Sequence, residues 1–191
     1  MGRKSLAAER RSELVSAYAR VLAEHGQTGA TIAAIAEEAG MAPSMVHHYF
    51  AGKHALQSAL LDALVGRFRA QLAEPGEPKA GEAKAGEPPL ANFAEAALGL
   101  GARADLVAAR AWVALFAEAQ SDAILFQKVR RLLDVEVDAI QKRSRGKLGT
   151  PDACAVMSFV MGALVFGAFA PKKAAGFAAP SLKTFMTALA K

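Results

Sequence analysis

His47, His48 and His54 are three of the chain's four histidines and lie in one short stretch, a grouping that could bind a metal. A shared metal needs ligands that converge on one point. Adjacent residues of a helix point about 100° apart, and Gly52 separates His54 from the other two, so convergence is not expected. No phosphate-binding glycine loop, nucleophile elbow or Cys, His and acid set with ligand spacing is found in the sequence. The expectation is a protein that is not an enzyme and needs neither metal nor cofactor. These residues are better suited to touching another molecule. Ser44, Met45, His47, His48 and Tyr49 crowd polar and aromatic groups between Thr31 and Lys53, a mixture suited to base edges and phosphates of DNA.

Two short helices and a turn would position this set. Thr31 can cap the first, accepting a first-turn amide, while Ile32, Ile35, Ala36 and Ala39 face inward. Gly40 permits the left-handed backbone that reverses the chain. Pro43 suits the first position of the second helix, with Met41 and Val46 spaced as a hydrophobic staple. That helix is expected from Pro43 to Phe50, with Val46 and Phe50 inward. Lys53 opens a longer helix carrying Leu56, Leu60, Leu64, Phe68 and Leu72, and an anion beside it would relieve a cation placed at a helix N-terminus.

Before this stretch, Leu14, Ala17, Tyr18, Val21 and Leu22 recur at helical spacing from a possible cap at Ser5 to a stop at Gly26. Arg3, Lys4, Arg10 and Arg11 crowd its start, either to lie along phosphates or as a solvated end. After it, residues 74–89 hold Pro, Gly, Glu and Lys without a large apolar side chain and read as a flexible loop. Helical spacing returns weakly at 90–102, then strongly at 105–120, where Leu106, Ala109, Val113 and Phe116 share a face, and again through Phe126, Val129, Leu133, Val137 and Ile140. The basic run Lys142 to Lys147 reads as a complement to a helix C-terminus.

Residues 153–170 carry no charge and approach the length of a membrane span. Their Ala, Gly, Ser and Cys content and lack of aromatic belts favour a subunit interface, formed with a last helix over 180–190. Cys154 within this run reads as a small core hydrophobe. At 191 residues and 53% apolar the chain can bury a core, and no strand pattern stands out. The formal net charge of +5 is compatible with a polyanionic partner. Charges fill the N-terminus where a secretory leader needs its apolar region, so the expected address is cytoplasmic, with no membrane.

The run from Thr31 to Leu56, with its I-A-x-E-A-G turn, H-Y-F end and following G-K, resembles the DNA-binding signature of the tetracycline-repressor (TetR) family of bacterial transcriptional regulators. The likeness covers about the first 70 residues; beyond them only the layout and the segment from Arg110 to Gln120 are similar. It implies an all-α fold: an N-terminal helix-turn-helix DNA-binding domain (1–73), the loop (74–89) and a helical ligand-binding and dimerisation domain (90–191). The implied function is a ligand-responsive repressor, binding a pseudo-palindromic double-stranded operator as a homodimer formed through its last two helices. A small, largely apolar effector would control it.

Carried over by residue, Thr31 and Lys53 would meet phosphates, Ala42, Pro43, Ser44 and Met45 would face the groove, and His47, His48 and Tyr49 would lie among the DNA contacts. Ala42 lacks the hydroxyl that family members often have there, and Ser44 and His47 also depart from common choices, so base preference does not transfer. Phe93, Trp112, Phe116, Phe126 and Met157 are candidate walls of the effector site, with core packing as the alternative for each. A helical sensor of small molecules or proteins, without productive DNA contact, is the competing reading.

Overall fold

The computed structural model describes residues 3–73 and 106–189, and no strand occurs among them. Their eight helices are α1 (Arg3–Gly29), α2 (Ile32–Glu38), α3 (Pro43–Tyr49), α4 (Lys53–Ala73), α5 (Leu106–Ala119), α6 (Ala123–Arg143), α7 (Thr150–Phe169) and α8 (Pro171–Leu189). The loop expected at 74–89, the weak helix at 90–102 and Phe93 lie outside the described residues. The chain is all-α, with its helix-turn-helix at the N-terminal end and further helices after it.

Two compact units form: Met1–Val65 with Leu106–Gln127, and Gly66–Asp105 with Lys128–Lys191. This grouping cuts the chain differently from segments 1–73 and 90–191, because α5 packs against α1 and so belongs with the helix-turn-helix.

In the first unit, Leu14, Ala17, Tyr18, Val21 and Leu22 of α1 are all buried, as their spacing requires. The helix begins at Arg3, so Ser5 is not its cap. At Gly26 the backbone leaves helical geometry with φ 65°, the stop expected there. Leu56, Leu60 and Leu64 of α4 are buried, and Phe68 is half-buried. On α5 the buried face is rotated from the expected one. Ala108, Ala111, Trp112 and Leu115 are inside together with Ala109 of the expected face, whereas Leu106, Val113 and Phe116 are only half-buried. Small residues on a helix face let a neighbouring axis come close, and α1 is the helix packed there.

In the second unit, Val129, at the edge of the unit's α6 segment, and Ile140 are buried. Glu136 is buried too, and Arg69 donates to its Oε1 from Nε at 2.9 Å and Nη2 at 2.7 Å. Helix α7 packs along α8, burying Val156, Met157, Val160 and Leu164, and the rings of Phe159 and Phe185 stack with centroids 6.0 Å apart. The last helix starts at Pro171, well before the expected Pro180, which lies inside it. Ala174, Ala178, Leu182 and Met186 form a buried stripe at four-residue spacing that carries the helix past Pro180 despite its missing N–H. Cys154 is exposed, because it falls on the side of α7 turned away from the buried stripe.

Candidate nucleic-acid interface

Thr31 has extended backbone angles and its Oγ1 accepts the Ala34 amide at 3.1 Å, so it caps α2 as the sequence requires. A hydroxyl that accepts still has its own hydrogen to donate, and Thr31 is exposed. Ile35 and Ala36 are buried, while Ile32 and Ala39 are half-buried. At the other end Gly40 adopts φ 64°. Its amide donates to Glu37 O at 2.9 Å, and the Met41 amide donates to Ala36 O at 2.8 Å. This pair of bonds is the Schellman termination, which requires the left-handed residue that glycine supplies.

Pro43 then opens α3 behind Ala42, which makes no side-chain cap bond. Val46 and Phe50 are buried, leaving Ala42, Pro43, Ser44, His47 and His48 exposed and Met45 and Tyr49 half-buried. The rings of His48 and Tyr49 meet edge to face, with centroids 4.9 Å apart. Arg11 reaches from α1 to the end of α3, where its guanidinium donates to the Tyr49 carbonyl and lies over the Phe50 ring at 4.2 Å. A cation there complements the negative end of the helix dipole, so at least one of the N-terminal basic residues serves the fold. Lys53, at the start of α4, donates to the Gln27 carbonyl at 3.3 Å, which leaves two of its three N–H groups for another acceptor.

His54 does not join the other histidines. Its Nδ1 pairs at 2.6 Å with Oδ2 of Asp122. Asp122 also caps α6, accepting the amides of Ile124 and Leu125 through Oδ1, each at 2.9 Å. The Leu125 amide is the main cause holding the Asp122 carboxyl below its usual range; burial opposes this and His54 reinforces it. Behind the interface, Gln57 Nε2 donates to Glu118 Oε1 at 3.4 Å. Burial pushes the Tyr18 phenol up to about 12; the amides of Gln27 and Gln57 partly oppose this, and the charge of Glu118 adds to it.

All nine residues expected to meet DNA thus fall on α3, on the N-caps of α2 and α3, or at the start of α4. Of the expected effector walls, Phe93 lies outside the described residues and the others fall on α5, α6 and α7. Trp112 and Phe116 stack with centroids 5.3 Å apart. Phe126 is a surface side chain, 43% exposed, and Met157 is buried in the second unit. Gln57, Glu118 and Asp122 were not legible as part of this region, and Arg11 was legible only as one of a basic cluster, since each acts on a partner distant in sequence.

The family model for bacterial regulatory proteins of the tetR family matches residues 14–60, which include α2, α3 and the first part of α4. The HTH-type transcriptional regulator BetI of Rhizobium meliloti is 34% identical over 127 residues, spanning 65% of this chain and 57% of BetI. Residues 14–60 thus carry the tetR-family regulatory domain. BetI of Brucella anthropi is 43% identical to this chain over 56 residues, 29% of each protein. The chain therefore matches little more than half the length of the first of these TetR-family relatives and less of the second. The TetR fold itself extends further. A transcriptional regulator from Rhodococcus sp. superposes with a TM-score of 0.77 at 21% identity, over 94% of this chain and 95% of that one. A TetR transcription regulator from Haloarcula marismortui gives 0.75 at 19% identity, over 95% and 98%.

Two outcomes follow for this TetR-family turn and its support. A Cβ at Gly40 would meet nothing within 4 Å, so Gly40→Ala carries only the conformational cost of positive φ. That cost is about 1–2 kcal/mol and is measurable by urea unfolding. Asp122→Ala should lower stability at neutral pH. Because the folded-state pKa of Asp122 is depressed, its contribution is complete above the ordinary carboxylate pKa of about 3.9 and is lost as pH falls through the folded value. The gap between wild type and variant in urea should therefore close on acidification, and a gap independent of pH would count against this role.

Proposed function

We propose that this chain is a DNA-binding transcriptional repressor that acts as a dimer on a pseudo-palindromic operator and responds to a small, largely apolar effector. The observation that carries this reading is the solvent-facing side of α3. Ser44, His47 and His48 project from a helix anchored by Val46 and Phe50, with Thr31 and Lys53 on its flanks. A seven-residue helix is about 10 Å long, short enough to enter a major groove about 12 Å wide. Thr31 would donate its hydroxyl hydrogen to one phosphate, and Lys53 its two remaining N–H groups to another. Ala42, Pro43, Ser44 and Met45 would lie nearest the base edges, with His47, His48 and Tyr49 beside them. Such a protein works by binding, without turnover, and its operator places it in the cytoplasm.

A second copy of the chain is the proposed cover for the outer face of α7. Cys154, Ser158, Gly162, Val165 and Phe169 are exposed there, and Phe169 is 79% exposed although fully apolar. By length and composition α7 could cross a membrane, with a mean hydropathy of 1.8. The buried stripe shared with α8 supports a helix that belongs to a protein interior on one side and an interface on the other. The stacked Trp112 and Phe116 offer aromatic surface for the effector. A ligand that binds one conformation better than another would then shift DNA affinity by that difference.

Selection from random duplex should return a two-fold sequence that the chain shifts in a salt-sensitive manner. Lys53→Ala should weaken binding to every sequence and reduce the slope of log affinity against log salt by about one; an unchanged slope would remove Lys53 from the phosphates. Ser44 substitutions should instead change which sequence is selected. For the dimer, Val165→Lys should convert the sedimenting species from dimer to monomer and cost operator affinity, whereas an unaltered sedimentation coefficient would place the interface elsewhere.

A further inference from the structure

Helix α4 starts without an anion of its own. Its first turn holds Lys53 and His54 and no acidic residue, so a cation stands at the positive end of the helix dipole. The entry to the helix is loosely held by its own backbone. Gly52, just before it, has φ 118°, and the bond from the Leu56 amide to the Gly52 carbonyl is long at 3.3 Å. What the turn lacks arrives from another element. His54 Nδ1 donates to Asp122 Oδ2 at 2.6 Å, while the other oxygen of Asp122 accepts the amides of Ile124 and Leu125. Both oxygens of one carboxylate are thus committed, one to the start of α6 and one to the start of α4, and all of these residues belong to the first unit.

We propose that His54 and Asp122 are positioning residues for Lys53: their bond fixes the first turn of α4 on the cap of α6 and so sets the direction in which Lys53 meets a phosphate. The inference rests on the DNA-binding reading of Lys53. Neighbouring side chains of a helix leave it about 100° apart, so pinning His54 fixes the rotation of the turn from which Lys53 projects. The Gln27 carbonyl then restrains the tip of the same side chain, accepting from Nζ at 3.3 Å. A lysine stem is flexible, and one held at base and tip has less freedom to lose on binding. Asp122 lies outside the stretch from 14 to 60 that the family model matches. An acid close to a polyanion ordinarily weakens binding through repulsion. Positioning gives Asp122 the opposite sign.

The test is the affinity of the full chain for a duplex selected from random DNA, with Tm measured in parallel. Asp122→Ser keeps an oxygen to cap α6 and ends short of His54. It should weaken binding severalfold even though it removes a negative charge; unchanged or tighter binding, which loss of repulsion alone would give, overturns the proposal. His54→Ala should weaken binding to a similar extent, and the double variant no more than either single one, whereas additive losses would show two separate effects and no shared bond. His54→Asn sets an amide N–H where Nδ1–H stands and should restore most of the affinity. If it binds as poorly as His54→Ala, His54 touches DNA in its own right and does not act through Asp122. Beside Lys53→Ala, Asp122→Ser should cause no further loss. A fall in Tm with affinity unaltered would mark a bond that serves the fold alone, and the proposal fails. Absence of salt-sensitive DNA binding by the wild type is a different result, since it sinks the regulator reading on which the positioning role rests.

Discussion

Helix α3 is too short to stand by its own hydrogen bonds. It has seven residues, whereas isolated helices below about 12–15 residues are marginal in water, and Ala42 supplies no side-chain cap. Its geometry must come from what holds it at each end and underneath. At the front is the Gly40 termination of α2, which fixes where α3 begins. Underneath are Val46 and Phe50, whose burial stabilises by about 1.5–3 kcal/mol each. At the back is Arg11, bonded to the Tyr49 carbonyl and lying over the Phe50 ring. Arg11 is exposed, so its contribution is smaller than theirs and falls with salt. Burial sets the position of the helix, and Arg11 closes an end that would otherwise fray.

Legibility in the sequence followed the range of each interaction. Gly26, Thr31, Gly40 and Pro43 act within their own turn, and each does in the structure what its type requires there. Val46 and Phe50, four apart, fall on the buried face for the same local reason. Contacts between distant segments left no such trace. Nothing around Arg11 points to Tyr49, nothing around His54 points to Asp122, and Glu136 looks like one more exposed acid until Arg69 is found beside it. On α5 the expected face holds only at Ala109: Leu106, Val113 and Phe116 are large but half-buried, while Ala108 and Ala111 are inside. Several of the buried positions are alanines, whose small size carries little weight in a periodicity. Pro180 misled in another way. A proline often opens a helix, but here a buried stripe on both sides of it outweighs the one hydrogen bond it cannot make.

Helix α7 raises the same issue of inside and outside at a larger scale. Composition alone makes it uniform, with apolar residues on every side. The fold divides it. Val156, Met157, Val160 and Leu164 are buried, whereas Val165 and Phe169 face out. Cys154, Ser158 and Gly162 share the outer side and are small, and small residues are what allow a neighbouring backbone to come near. That distribution suits a packed helical partner better than lipid, where a fully apolar outer surface would do and small polar side chains would add nothing.

Polar groups in the first unit show that burial and precision are in tension near the interface. An apolar filling of the space around Tyr18 would be more stable, since buried amides and a buried phenol must replace the hydrogen bonds they make in water. What the polar filling adds is direction. An apolar contact tolerates sliding, whereas a hydrogen bond weakens steeply when its angle falls, so the bond from Gln57 to Glu118 and that from Lys53 to the Gln27 carbonyl each fix a direction as well as a distance. Burial holds the Tyr18 phenol near 12, far above neutral pH. The ring therefore remains neutral. Side chains so placed hold their direction without a charge of their own, and the Gln57 amide is what joins α4 to α5 here.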